Sequence, residues 1–209
     1  ISGSTLTINP SANLSYSTGY SVEFSSGSVK DAAGNNYAGT TSYNFTTGSI
    51  PNNEPSSVNA AITVVEDVAS KLLAAIFKFT DADKGQTLQK VVITSLPTAG
   101  TLKLSGVAVQ TNDEIAIADI TAGNLTYVTA SNGSGLAYAT MGFKVHDGIA
   151  PSASSYTLTF NATAVNDAPS VANAIADQAA TEGSAFSLSV ANAFTDVDTG
   201  DVLTLSATL

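Results

Sequence analysis

Short stretches of alternating apolar and polar residues recur along the chain, and β-branched and aromatic residues are concentrated in them. Each stretch is about four to six residues long and is bounded by turn-forming residues such as Gly, Asn, Asp, Ser or Pro, which is typical of β-strands. Helical periodicity is almost absent, and the alanine-rich residues 172–180 are interrupted by Asn and Asp, so we expect an extended passage there. The predicted strands are Thr5–Ile8, Tyr20–Phe24, Tyr43–Thr47, Ile62–Val65, Val91–Thr94, Thr101–Leu104, Leu125–Val128, Met141–Val145, Tyr156–Phe160, Phe186–Val190 and Leu203–Ser206.

Strands that follow one another every 10–20 residues or so, without helices between them, predict an all-β fold of antiparallel β-sandwiches. Two polar, proline-bearing segments, Ser49–Pro55 and Val165–Pro169, interrupt the series of strands. Proline removes a backbone donor and favours an extended conformation in the residue before it. These segments are therefore predicted to be short, stiff connectors between domains.

An internal repeat gives the domain boundaries. The segment Phe79–Asp83 (FTDAD) returns as Phe194–Asp198 (FTDVD), 115 positions later. Pro55 and Pro169 are 114 positions apart, and Glu66 and Glu182 are 116 apart, so several landmarks keep nearly the same period. We predict one complete sandwich at residues 50–168, the opening part of another at 169–209, and the closing part of a different one at 1–49. Both ends are then expected to be truncated, as in a segment of a longer protein.

The charge of the chain narrows the classes of partner. There are 17 acidic residues against 7 basic ones, one His and no Cys, and the net charge is −10. The basic residues are all Lys, so the chain lacks the clustered positive charge that nucleic acid or an anionic membrane surface requires. The absence of Cys excludes disulfides, thiolate zinc sites and Cys nucleophiles. No apolar run is long enough to predict a transmembrane segment.

The negative charge is paired locally in a way that favours a cation. Asp81 and Asp83, and likewise Asp196 and Asp198, are two positions apart on chain that we expect to be extended, which puts both carboxylates on one face about 6.5–7 Å apart. A hard divalent cation such as Ca²⁺, which binds six to eight oxygens, would relieve their repulsion. The alternative is that Asp-x-Asp-x-Gly only forms a turn. An EF-hand is excluded, because its twelfth position would be Val92 or Ala207 instead of Glu.

The same motifs carry a family resemblance. The middle unit resembles the cadherin-like tandem repeats of large bacterial adhesins, through Phe79–Asp83, Leu96–Leu102, Gly123–Tyr127, Phe143–Gly148 and Val165–Pro169. Residues 169–209 resemble the start of a dystroglycan-type cadherin-like repeat, through Thr181–Gly183 and Phe194–Asp201. Residues 1–49 are similar to bacterial Ig-like domains, through Leu6–Pro10, Val29–Asn35 and Phe45–Thr47. The resemblance implies tandem Ig/cadherin-like sandwiches, one complete and two partial, in an extracellular or cell-surface array.

The resemblance also implies which residues bind calcium, because in cadherin-like arrays the ion lies at the joint between units. The joint after the middle unit would use Glu66, Asp147, Asn166, Asp167, Asp196 and Asp198. The joint before it would use Asn53, Glu54, Asp81 and Asp83, with Asp31 a weaker candidate; its connector has Asn-Glu-Pro where the other has Asn-Asp-Ala-Pro.

We therefore expect a non-enzymatic spacer of an adhesin, stiffened by Ca²⁺ at its joints. Its partners would be the neighbouring repeats and a cell-surface protein or glycan receptor. His146 is the only imidazole and has no serine elbow to work with, which argues against catalysis. Two alternatives remain. One is a carbohydrate- or protein-binding module, whose sugar-binding face Tyr127, Tyr138 or Tyr156 would supply. The other is an ancillary domain of a secreted enzyme.

Overall fold

The computed structural model describes residues 6–206, apart from the side chains of residues 41 and 42. The chain forms two compact units, residues 1–52 and 53–209. The boundaries predicted from the sequence follow residues 49 and 168; the second of these lies within the larger unit and stays a prediction.

The described part of the first unit contains a β-hairpin. β1 (Gly19–Phe24) pairs antiparallel with β2 (Thr40–Thr46), so that Tyr20 faces Phe45 and Val22 faces Tyr43. The rings of Tyr20 and Phe45 stack at a centroid distance of 5.7 Å. Both strands were predicted within a few residues. A further strand was predicted at Thr5–Ile8, but residues 6–8 are not in a strand, and Thr5 lies outside the described residues.

The second unit contains a β-sandwich of two sheets. The five-stranded sheet has, in spatial order, β3 (Ala60–Val65), β11 (Tyr156–Thr163), β10 (Gly135–His146), β5 (Lys90–Ser95) and β8 (Glu114–Ala116). The four-stranded sheet has β4 (Ser70–Lys71), β9 (Leu125–Val128), β6 (Thr101–Leu104) and β7 (Val107–Ala108). A separate two-stranded ladder joins β12 (Ser170–Val171) to β13 (Phe194–Thr195). The all-β fold is confirmed.

Among the residues that the structure describes, helical structure is limited to two short elements. One is a 3₁₀ turn at Ala74–Ile76, and the other is α1 (Ile117–Thr121). Within residues 6–206, no helix has the length and apolar character needed to cross a bilayer.

Alternating side chains of the two sheets build the core. On β10, Met141, Phe143 and Val145 are buried while the residues between them are only partly buried, as the period of two in a strand requires. Tyr127 of one sheet stacks on Phe160 of the other with ring centroids 3.9 Å apart. The cluster of buried apolar residues lies between Val64 and Ala162, so it is contained within the middle repeat.

Two more of the predicted strands are absent. The segments Phe186–Val190 and Leu203–Ser206 do not form strands. Their apolar side chains have no sheet to pack against among the described residues, and Phe186 is 55% and Leu205 58% exposed. The alanine-rich residues 172–180 contain no helix, as predicted.

The expected antiparallel pairing holds for most of the sandwich but fails at one place. β3, the first strand of the sandwich, runs parallel to β11, the last, with Ala60 opposite Leu158 and Val65 opposite Thr163. Parallel pairing places the ends of both strands at the same end of the sandwich. The residues that follow them, Glu66 after β3 and the connector after β11, therefore lie side by side.

Candidate metal centre

A buried carboxylate lies where these two strands end. The backbone N–H of Glu66 donates to the carbonyl of Thr163 (3.1 Å), which continues the parallel ladder by one residue. The Glu66 side chain is directed toward the connector, where its Oε1 accepts the N–H of Val165 at 2.8 Å. Glu66 is only 3% exposed, and its other oxygen, Oε2, has no hydrogen-bond partner within residues 6–206. A buried carboxylate oxygen without a donor is costly unless a proton or a cation neutralises it.

Two further carboxylates lie close to the Glu66 carboxylate. Glu66, Asp167 and Asp198 each offer an oxygen, and these oxygens all lie within 4.8 Å of one another. Asp198 also belongs to a second group of the same size with Asp196 and Asp201. The two groups share one carboxylate, so five acidic side chains form one connected cluster.

The β12–β13 ladder brings the later part of the cluster to the connector. Ser170, just after the connector, pairs with Thr195, just before Asp196. The N–H of Asp167 then donates to Oδ2 of Asp198 at 2.6 Å. The N–H of Asp198 donates to Oδ1 of Asp196 at 2.9 Å, which forms a tight Asx-type turn.

The electrostatics of the cluster are strongly negative. Partial burial raises the pKa of the Asp167 carboxyl above its usual range, and nearby negative charges raise it further. These charges belong, in decreasing order of effect, to Asp198, Asp67, Glu66 and Asp196. An open cavity of about 410 Å³ adjoins Glu66 and Asp198, and its lining contains no lysine. The carboxylate oxygens of the cluster are ligands of the kind that Ca²⁺ prefers.

Two acidic residues of this region were missed by the sequence analysis. Asp67 adopts a positive φ of 56° and accepts the N–H of Asn132 with its carboxylate at 3.1 Å. Asp201 ends the segment Asp-Val-Asp-Thr-Gly-Asp, and as the third aspartate of that segment it could have been predicted as a further ligand. Asn166 also lines the cavity, and its side-chain amide donates to the carbonyl of Asp167 at 2.8 Å.

Asp147 is not brought to this cluster. β10 runs antiparallel to β11, so its last residues lie at the end of the sheet opposite Thr163. There the Asp147 carboxylate accepts the N–H groups of Ile149 and Ala150, at 2.6 and 2.7 Å, and holds a turn. The expectation that Asp147 joins Glu66 at the second joint does not agree with this placement.

The earlier aspartate pair forms the same turn as the later one. The N–H of Asp83 donates to Oδ1 of Asp81 at 2.8 Å, and the N–H of Asn53 donates to Oδ2 of Asp83 at 2.7 Å. These contacts repeat those of Asp198, Asp196 and Asp167, so the repeat seen in the sequence is also a repeat of hydrogen bonds. Glu54 is exposed. Asp31, in the first unit, accepts both the N–H and the side-chain amide of Asn35 in a local turn.

The three tyrosines of the alternative function face the core instead of forming an open aromatic surface. Tyr127 is 1% exposed, and its hydroxyl donates to the carbonyl of Ala99; burial raises its pKa to about 12. Tyr138 and Tyr156 are partly buried and pack against the same core. This arrangement does not favour sugar stacking.

Comparison with known proteins agrees with the fold. The family described as bacterial Ig-like domain matches residues 1–47. No curated protein and no solved structure matches the chain. The match supports an Ig-like repeat module at the start of the chain, a type of domain that is generally non-catalytic. The cadherin-like and dystroglycan-type resemblances of the remaining residues stay predictions.

Proposed function

We propose that this chain is part of an extracellular repeat-array adhesin, in which it acts as a spacer stiffened by Ca²⁺. The ion would bind where the connector leaves the middle sandwich. The partners of the spacer would be the neighbouring repeats of the same chain. A cell-surface protein or glycan would be bound elsewhere in the array. The bacterial Ig-like match and the internal repeat support the array.

One observation carries the calcium proposal: Oε2 of the Glu66 carboxylate is buried and has no hydrogen-bond partner among the described residues, and this carboxylate has an oxygen within 4.8 Å of an oxygen from each of two other carboxylates. Repulsion among these groups is what a divalent cation removes. Glu66 belongs to the sandwich, Asp167 to the connector and Asp198 to the segment beyond. An ion that binds all three would therefore link these three parts of the chain.

The free energy expected from calcium binding is modest but sufficient to change the conformation of a marginal joint. Extracellular calcium modules have dissociation constants of about 0.1–1 mM. At about 1–10 mM free Ca²⁺, mass action gives roughly 0.4–3 kcal/mol per site. A gain of that size shifts the population of a marginal joint severalfold or more, and it is lost when calcium is removed.

Calorimetric titration of the full chain with Ca²⁺ tests this proposal. We expect binding in the sub-millimolar to millimolar range, and the variant Asp198→Asn should weaken it at least about tenfold, since affinity follows the number of charged ligands. Asp177→Asn is the matched control, because Asp177 is exposed and lies outside the cluster. Small-angle scattering in EDTA should show altered dimensions. Absence of calcium binding, together with unchanged dimensions, would refute the proposal.

A further inference from the structure

The two repeated turns differ at several positions, and one of these differences changes the hydrogen bonds made to the second aspartate of the pair. Asn53 and Asp167 occupy equivalent places, each two residues before a connector proline and each donating its backbone N–H to the second aspartate of the pair. We propose that this side chain decides how the turn is closed: the amide of Asn53 closes the first turn within the protein, whereas Asp167 leaves the second to be closed by a cation. The cation part of this inference rests on the proposed function.

In the first turn, Asn53 donates a hydrogen bond to each of the two oxygens of one carboxylate. Its backbone N–H donates to Oδ2 of Asp83 at 2.7 Å, and its side-chain amide donates to Oδ1 at 2.9 Å. Donors held on both oxygens of a carboxylate give strong, charge-assisted hydrogen bonds. The side-chain amide therefore occupies the oxygen that a cation would otherwise use.

In the second turn, only the backbone half of this arrangement is present. The N–H of Asp167 reaches Oδ2 of Asp198 at 2.6 Å, but an ionised aspartate side chain has no donor to offer to Oδ1. Instead it brings another negative charge to Asp198 and to the buried carboxylate of Glu66.

A mixed array follows from this difference. A turn of the Asn53 type stays closed whatever the calcium concentration. A turn of the Asp167 type closes only when the cation is bound. The residue two positions before the connector proline, Asn or Asp, would thus set the calcium sensitivity of each connector.

The reciprocal variants Asp167→Asn and Asn53→Asp test the inference in the full 209-residue chain. Protection of the residue-53 and residue-167 amides is measured by NMR hydrogen exchange, first in EDTA and then in 2 mM CaCl₂. In EDTA, Asp167→Asn should raise the protection at residue 167 about tenfold, because a charge-assisted hydrogen bond is gained. Asn53→Asp should lower the protection at residue 53 by a similar factor. Asp177→Asn should change neither amide.

The calcium arm adds a second readout. Wild-type residue 167 should gain protection on addition of calcium, and Asp167→Asn should lose most of that gain. Unchanged protection in EDTA for either reciprocal variant would overturn the inference. If both EDTA effects occur while wild-type protein shows no response to calcium, closure by the amide stands and the proposed calcium function fails.

Discussion

Replacement of Glu66 by Gln separates the two roles of the buried carboxylate, which are to accept a hydrogen bond from the connector and to supply negative charge for a cation. Gln has nearly the same shape and keeps an oxygen that can accept the N–H of Val165, the contact that Oε1 makes at 2.8 Å. The substitution removes the charge of the unpartnered Oε2. It should therefore weaken calcium binding and, at the same time, stabilise the calcium-free protein.

The distances set the size of the second effect. The carboxylate oxygens lie within 4.8 Å of one another, and at that upper limit two of them repel by about 3.5 kcal/mol at an effective dielectric constant of about 20, and by about 0.9 kcal/mol in water. Asp167 and Asp198 are half-buried, so screening by solvent reduces the larger figure. We expect Glu66→Gln to be more stable than the wild type in EDTA by about 1–3 kcal/mol. For a chain of this length that is a rise in melting temperature of about 2–12 °C.

Addition of calcium should stabilise the wild type more than Glu66→Gln, which is opposite in direction to the difference in stability expected in EDTA. With a dissociation constant of about 0.1–1 mM, 1 mM Ca²⁺ stabilises the wild type by about 0.4–1.4 kcal/mol, and a tenfold weaker site gives about 0.4 kcal/mol or less. Calorimetric melting of both proteins, in EDTA and in calcium, measures all four states. Glu114→Gln is the matched control: it loses the exposed ion pair with Lys90 (2.7 Å) and should keep the wild-type calcium shift. A full calcium shift in Glu66→Gln would contradict our assignment of the ligand.

Three further changes test the fold and its charges. Phe143→Ala removes a fully buried ring packed edge-on against Phe77 at 5.1 Å, and denaturant unfolding should show a loss of about 3–5 kcal/mol. Gly100→Ala should lower the melting temperature clearly, because φ is +75° and the added Cβ would collide with the carbonyl of Val128. Because the pKa of Asp167 is raised in the folded protein, protonation of this carboxyl stabilises the metal-free fold at pH values below the ordinary pKa of 3.8, and the contribution is lost as the pH rises through the raised pKa. The difference in stability between wild type and Asp167→Asn should therefore narrow on acidification. A difference that does not change with pH would argue against a raised pKa.

The sequence predicts the central sandwich well because its signals are local. Thr101–Leu104 and Leu125–Val128 were predicted with the bounds that the structure has, since each carries a clear alternation between turn residues. The pairing of β3 with β11 was not predictable in this way. Parallel neighbours almost 100 residues apart leave no local signal in either strand. The same limit explains Phe186–Val190, where a strand-like pattern has no partner sheet among the described residues.

The candidate site was predictable where the repeat marked it and not elsewhere. Asp196, Asp198 and Asp167 are in conspicuous motifs, and the structure brings them together. Asp147 was assigned to the wrong end of the sheet, because its place depends on the antiparallel direction of β10. Asp67 adds negative charge near Asp167 from a backbone conformation with positive φ, which the sequence does not reveal for a non-glycine residue.

The parallel pair β3 and β11 has a mechanical consequence. The chain enters the sandwich at the start of β3 and leaves it at the end of β11, so tension applied through its two connectors pulls these neighbours past each other lengthwise. The hydrogen bonds of this ladder then share the load and must rupture together, whereas a hairpin pulled at its open end unzips one bond at a time. We expect the sandwich to resist stretching in single-molecule force spectroscopy, and a Pro in place of Thr159, within the ladder, should lower the rupture force sharply.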